Sequence, residues 1–149
     1  MAEFELRSPA FESGEPIPSV HSCEGEDLSV PLRWSGLPEG TSSLALIVED
    51  PDAPSGTFVH WLGWGIDPAA DGLEEGEAAP LEGENGFGRR GYAGPCPPPG
   101  HGAHRYFHRL YALDTEVGLE AGVDREQLDQ ALEGHVLAVA ELVGTYKRT

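Results

Sequence analysis

Two aspartates, two histidines and a tyrosine carry the chemistry that this sequence could perform. Asp50 and Asp52 stand in the acidic turn Glu49-Asp50-Pro51-Asp52-Ala53-Pro54. Pro51 and Pro54 each fix a φ angle and push the preceding residue towards extended backbone, so the two carboxylates are held in place. Rigid carboxylates at the end of a strand suit direct contact with a ligand. The competing reading is that they bond only the backbone of their own turn. His104 and Tyr106 open the run His104-Arg105-Tyr106-Phe107-His108-Arg109-Leu110-Tyr111. A period of two puts them on one face with His108, and puts Arg105, Phe107, Arg109 and Tyr111 on the other. Arg105 reads as a salt-bridge partner for one of the loop carboxylates. His60 lies in the apolar run Phe58 to Ile66, where the ordinary reading is a buried, satisfied histidine, as that of Tyr106 is a core aromatic. Imidazoles near carboxylates can donate to an anion, share a metal or act as general acid and base.

These residues need strands to hold them. Leu44 to Val48 and Phe58 to Ile66 are apolar runs of strand length, and the second is apolar on both faces, which predicts an interior strand. In that run Phe58, Leu62, Trp64 and Ile66 share one parity, while Val59 and Trp61 share the other. His104 to Leu113 is a third strand. Between them, Asp67 to Gly102 is rich in Gly, Pro and Glu and has no periodicity. Its first part, DGLEEGEAAPLEGENG, reads as a solvated acidic excursion. Its second part, GYAGPCPPPGHG, includes Gly94 and Pro95. Such residues preset a backbone path and let main-chain N–H groups approach a ligand. The loop lacks the lysine and following helix of a Walker phosphate loop.

The rest of the chain frames these strands. Phe4-Glu5-Leu6 starts an edge strand, and Leu28 to Trp34 carries Pro31, which confines it to an edge or bulge. Asp124 reads as a helix N-cap with Gln127 closing the box, Leu128, Ala131 and Leu132 as the apolar helix face, and Gly134 as the C′ glycine. Val136, Val139, Val143 and Thr145 are β-branched and predict a strand over the tail from His135 to Tyr146. The count is six or seven strands and one short helix near the C-terminus, joined by long loops. That is a mainly β chain, an antiparallel β-sandwich forming a single domain over 1–149.

Charge bounds the partners. The 149 residues include 26 acidic and 9 basic side chains, giving a net charge of -17. So negative a field argues against binding nucleic acid or docking on anionic lipid. It fits a high-salt interior, where screening reduces self-repulsion. No apolar run has the length of a membrane span, so stable membrane insertion is not expected. The N-terminus, MAEFELRSPAF, lacks the plan of a secretory signal, which points to a cytoplasmic protein. In a reducing cytoplasm Cys23 and Cys96 are free thiols by default, although the sequence leaves open whether they meet.

Several motifs together resemble the phosphatidylethanolamine-binding protein family, which includes Raf kinase inhibitor protein. They are DPDAP at 50–54, His60-Trp61, Gly94-Pro95-x-Pro97-Pro98-x-Gly100 and His104-Arg105-Tyr106. The flanks are similar to the bacterial and archaeal branch. Early in the chain these are Ser8-Pro9-Ala10-Phe11, Cys23-Glu24-Gly25, Leu32-Arg33-Trp34-Ser35-Gly36 and Pro38-Glu39-Gly40. Late in the chain comes the stretch from Glu133 to Tyr146. Two departures stand out: Ser29-Val30-Pro31 replaces the branch's usual Ser-Pro-Pro, and the excursion at 67–86 is acidic, which would narrow the pocket or repel its usual ligands. The C-terminal helix that partly covers the pocket in animal members is also not evident, which implies a more open pocket.

The resemblance implies a small anion pocket at the end of the sheet. Its residues would be Asp50, Asp52, His60, His104 and Tyr106, with Gly94 and Pro95 forming one wall. A carboxylate beside an imidazole favours the protonated ring, so Asp50 or Asp52 would hold His60 or His104 in a donating state. The function implied is a non-enzymatic binding protein, without a cofactor, for phosphate or other phosphorylated and anionic ligands. It could regulate a kinase or protease, with room for a protein partner and a homodimer. The alternative is a metal-dependent or acid/base hydrolase using His60, His104 and Asp50 or Asp52, for which the chain offers no HExxH, GxSxG or Walker pattern.

Overall fold

The apolar run that leads into the acidic turn becomes the central strand of the molecule. The computed structural model describes residues 3–148. Strand β1 is Glu5–Arg7, β2 Leu32–Ser35, β3 Ser43–Asp50, β4 Phe58–Ile66, β5 Gly72–Leu73, β6 Leu81–Glu82, β7 His104–Leu113 and β8 Val136–Tyr146; the helix α1 is Arg125–Leu132. A single 3-10 turn occupies Ser19–His21. Two antiparallel sheets result, one of three strands in the order β1-β2-β5 and one of five in the order β6-β4-β3-β7-β8. The mainly β sandwich with one helix near the C-terminus is the expected architecture.

Alternation along β3 divides the core in two. Leu44, Leu46 and Val48 face the three-stranded sheet and pack with Leu6, Leu32, Trp34 and Leu110. Ala45 and Ile47 face the opposite way and pack with Leu62, Trp64, Leu113 and, from the helix, Leu128 and Leu132. All eight residues of β3 are buried, as a strand covered on both faces requires. The helix begins where its sequence signals it. Asp124 caps it and Gln127 completes the capping box, while Gly134 follows with φ 81°. It is also tied down electrostatically: Arg125 and Arg109 both pair with Glu49 on β3.

Three differences from the sequence reading have physical causes. Ile66 packs with Trp61 and not with Trp64. The β3–β4 register shifts by one residue between Leu44–Ile66 and Leu46–Gly63, and Gly65 within that bulge has φ 73°. An extra residue reverses the parity beyond it. The acidic excursion is also more ordered than expected. It contains β5 and β6, and Glu82 accepts a 2.7 Å hydrogen bond from Trp61 Nε1. Strands of two residues carry no period to read. The strand expected from Leu28 starts only at Leu32, just past Pro31, which cannot donate to a ladder.

Cys23 and Cys96 are not free thiols but a disulfide, with Cα atoms 5.4 Å apart. The segments carrying them run together. The Cys23 N–H donates to the Pro95 carbonyl, the Gly94 N–H to Asp27 Oδ1, and the Tyr92 hydroxyl to the His21 carbonyl. A side chain on Gly94 would collide with His21 O at 2.0 Å, so this approach requires glycine. Among the described residues no helix is long and apolar enough to cross a membrane.

Candidate functional site

Three neighbouring strand ends of the five-stranded sheet meet around one cavity. Asp50 ends β3, His60 lies near the start of β4, and His104 and Tyr106 open β7. The cavity measures about 310 Å³ and is lined by these four residues, the turn 53–57, Phe58, Phe87 and the loop residues Cys96, Pro97 and Pro98. Most of the wall is apolar, which is the usual make-up of a small-molecule site with a few fixed polar groups.

Each polar group is held by a specific device. Both oxygens of the buried Asp50 are engaged: Oδ1 accepts from the Asp52 N–H at 2.7 Å, and Oδ2 accepts from His104 Nδ1 at 2.7 Å. An ionised carboxylate only accepts, so Nδ1 of His104 carries the hydrogen. His60 reaches the cavity through a second bulge. The register shifts between Val48–Trp61 and Glu49–Val59 and leaves His60 as the extra residue. Bulges re-aim side chains in this way beside sites. Its Nδ1 donates to the Ala93 carbonyl at 2.7 Å. Burial lowers its pKa, opposed by the Ala93 carbonyl and then by the Asp50 charge, so the ring is neutral and its Nε2 is an acceptor. Of the two histidines that the sequence left open as partner of a carboxylate, Asp50 takes His104, while His60 faces a carbonyl and three aromatic rings, Phe58, Phe87 and Tyr106.

Tyr106 is 1% exposed, and its hydroxyl is the one buried side-chain polar atom without a hydrogen-bond partner among the described residues. Burial, and next the Asp50 charge, raises its pKa. It thus remains an O–H donor, with the Asp50 carboxylate near it but outside hydrogen-bonding geometry.

The remaining residues singled out in the sequence fall outside the cavity lining. Asp52 turns to Arg105, which gives it Nε at 2.9 Å, a second guanidinium contact at 2.8 Å and its backbone N–H at 2.9 Å. Those bonds to Arg105 lower the Asp52 pKa to about 2, and Arg105 is the structural partner expected. Gly94 and Pro95 form the base of the loop; their polar groups bond to Asp27 and Cys23, and the wall is built by the next three residues. His108 shares the face of Tyr106 but is fully buried against Phe11, bonded to the carbonyls of Tyr106 and Leu142.

His108 has a testable consequence. Burial lowers its pKa from 6.5 to about 4. The unfolded chain then binds the proton more readily between these values, so stability is complete above pH 6.5 and falls as pH drops towards 4, by up to about 3 kcal/mol. Denaturant unfolding between pH 7 and 4.5 should show this slope, and His108→Leu should flatten it. An unchanged slope in that variant would contradict the assignment.

The sequence reading missed Phe58, Phe87, the 53–57 turn and His101. Phe87 offered one clue, an aromatic residue between glycines at the end of the acidic stretch. His101 offered none beyond its type, yet its Nδ1 lies 2.6 Å from Nε2 of His104. Among the described residues no group of three or more His, Cys, Asp or Glu side chains is placed to hold a metal ion.

Comparison with known proteins bears on the whole chain. The model of the family described as phosphatidylethanolamine-binding protein matches residues 7–147. A UPF0098 protein of Methanothermobacter thermautotrophicus is 49% identical over 96% of this chain and 98% of its own length. One from Pyrococcus horikoshii is 47% identical over 95% of this chain and 75% of its own. Among solved structures, a phosphatidylethanolamine-binding protein homologue from Chlamydia trachomatis is 42% identical, with a TM-score of 0.94 over the full length of both chains. YbcL of E. coli, described as a member of the mammalian family, is 32% identical with a TM-score of 0.92, covering 99% of this chain and 100% of its own. The motifs, the fold and these matches agree, and the chain belongs to the phosphatidylethanolamine-binding protein family.

Proposed function

We propose that this protein works by binding and not by catalysis, and that its cavity takes a small anion of the phosphate or phosphate-ester class, free or carried on a partner molecule that it regulates. The observation that carries the reading is the Tyr106 hydroxyl, buried at the cavity wall with no acceptor of its own. Leaving such a donor unsatisfied costs free energy that an incoming anionic oxygen recovers. Beside it, Asp50 accepts from Nδ1 of His104 and fixes the ring, so that Nε2, once it carries a hydrogen, can give an anion a charge-assisted bond. His60 Nε2 supplies an acceptor. The preferred guest is therefore an anion that still carries a hydrogen to donate, as a monoprotonated phosphate does, or a phosphate ester with an ammonium group, as the family's name suggests. The net charge of -17 opposes any anion at long range, and salt screens that repulsion beyond about 10 Å. Binding of bare phosphate should thus be weak, with a dissociation constant on the order of 1 mM, and should strengthen with added salt and falling pH.

The test is a titration of inorganic phosphate and of phosphoethanolamine against the imidazole NMR signals of His60 and His104. Saturable shifts in both rings are expected at millimolar ligand. Silence of both rings would remove the anion reading.

A further inference from the structure

The loop before β7 places a second imidazole on the site, and it does so at the one atom of His104 that matters for a ligand. His104 uses Nδ1 to reach Asp50. Its Nε2 is then the only ring nitrogen left for a guest, and it is occupied: Nδ1 of His101 lies 2.6 Å away, with the two rings tilted at 67°. With His104 neutral, its Nε2 is the acceptor and Nδ1 of His101 the donor. The relay thus runs from an exposed ring, through a buried one, to a buried carboxylate.

The backbone of His101 is held, its N–H donating to the Pro98 carbonyl, while its side chain is exposed and free to rotate. The residue sits between Gly100 and Gly102, whose φ angles are 75° and 89°, and a side chain on either glycine would meet nothing within 4 Å. The segment just before it is fixed, with Arg148 Nε donating to the Pro97 carbonyl and the Gly100 N–H to the Arg148 carbonyl. The ring can therefore leave His104 while the Pro97-Pro98 wall stays in place.

We propose that His101 is a displaceable cap on the pocket, which holds Nε2 of His104 in the ligand-free protein and gives it up when an anion binds. This rests on the anion reading given above. With the guest's one hydrogen given to Nε2 of His60, its remaining oxygens only accept and cannot bond a lone pair on Nε2 of His104. For the anion to take the place of His101, Nε2 must first gain a hydrogen. Once Nε2–H exists, the Nδ1–H of His101 faces another donor and the contact between the rings is lost. Anion entry, proton uptake at His104 and departure of His101 are thus one event. The balance is one dianion and one proton from solvent for one broken ring–ring bond and one new N–H···O bond. The charged and titratable groups facing the pair are Asp50 from β3, His60 from β4 and Tyr106 from β7, with the Asp52–Arg105 pair beyond the turn and Arg148 behind the loop. Asp50 is the carboxylate that bonds the ring, through Nδ1.

The experiment compares the full chain with His101→Ala, using inorganic phosphate at pH 8, where it is a dianion. Affinity is measured by NMR titration, and proton uptake by calorimetry in two buffers of different ionisation enthalpy. Because His101 is exposed, the variant should fold, which its amide spectrum checks. Three outcomes are expected: about one proton taken up per phosphate; phosphate bound about three- to tenfold more tightly by His101→Ala, the size of one lost competing hydrogen bond; and in the ligand-free variant, a His104 Nε2 nitrogen shift showing loss of its hydrogen-bonded state. Equal affinity in both proteins, or binding without proton uptake, would overturn the cap while leaving the anion site standing. No perturbation of His60 or His104 in either protein would overturn the anion site and the cap together.

Discussion

Removing the disulfide should lower the unfolding free energy by about 4 kcal/mol, the loop-closure entropy expected for a bridge between residues this far apart. The two cysteines are separated by 73 positions, so the oxidised unfolded chain is strongly restricted. The effect should extend to the pocket, because Cys96 forms part of its lining. It should be smaller there. The loop keeps the bonds from Cys23 N–H to Pro95, from Gly94 N–H to Asp27 and from Arg148 to Pro97. The measurement is denaturant unfolding of the oxidised protein, the reduced protein and Cys23→Ala/Cys96→Ala, with a phosphate titration on each. A loss of several kcal/mol in stability with only a few-fold loss in affinity is expected. A stability change under 1 kcal/mol in both reduced forms would show that the bridge constrains little.

Asp50→Ala should cost about 3 kcal/mol in stability and weaken phosphate binding at least tenfold. Both oxygens of this carboxylate are used, and both donors facing it lie in the protein interior or at its edge. Truncation leaves the His104 Nδ1–H and the Asp52 N–H without an acceptor, and a buried donor left alone costs about 1–3 kcal/mol, in line with the penalty for breaking a buried pair. The binding loss has a separate cause. Without the carboxylate Nδ1 of His104 loses the partner that fixes the ring's tautomer and orientation. Unfolding curves and the NMR titration separate the two effects. Unchanged phosphate affinity in a folded Asp50→Ala protein would mean that His104 does not face the ligand.

The legible parts of the fold are those with a strong local signal. Strand β4 spans the residues its apolar run marks, β7 those its alternation marks, and α1 lies between its capping box and its glycine. The parts that were not legible depend on pairing. Nothing local in Gly72-Leu73 or Leu81-Glu82 announces a strand, and no property of Cys23 alone shows that Cys96 lies against it. The site divides in the same way. His104 and Tyr106 could be placed on one face from strand period and Asp50 at a strand end from proline geometry, while their meeting was implied only by the family resemblance. The role of His60 could not, because an extra residue in β4 turns it, and a bulge has no signature in an apolar run. Asp52 was indistinguishable from Asp50 in sequence; the backbone N–H and guanidinium of Arg105 decide which of the two carboxylates faces outward.

The ladder between β3 and β7 pairs residues 43–49 with 107–113, and it is the seam on which the whole arrangement closes. Asp50 and His104 sit just beyond one end of that seam. Contacts between such distant parts of the chain form late and slowly as a protein folds. Until the seam zips, Asp50 has no imidazole and the cavity has no second side. A growing chain released before residue 104 would hold its long hairpin but have no recognition site at all. Affinity for a small anion, followed through refolding, would therefore time the last step of assembly.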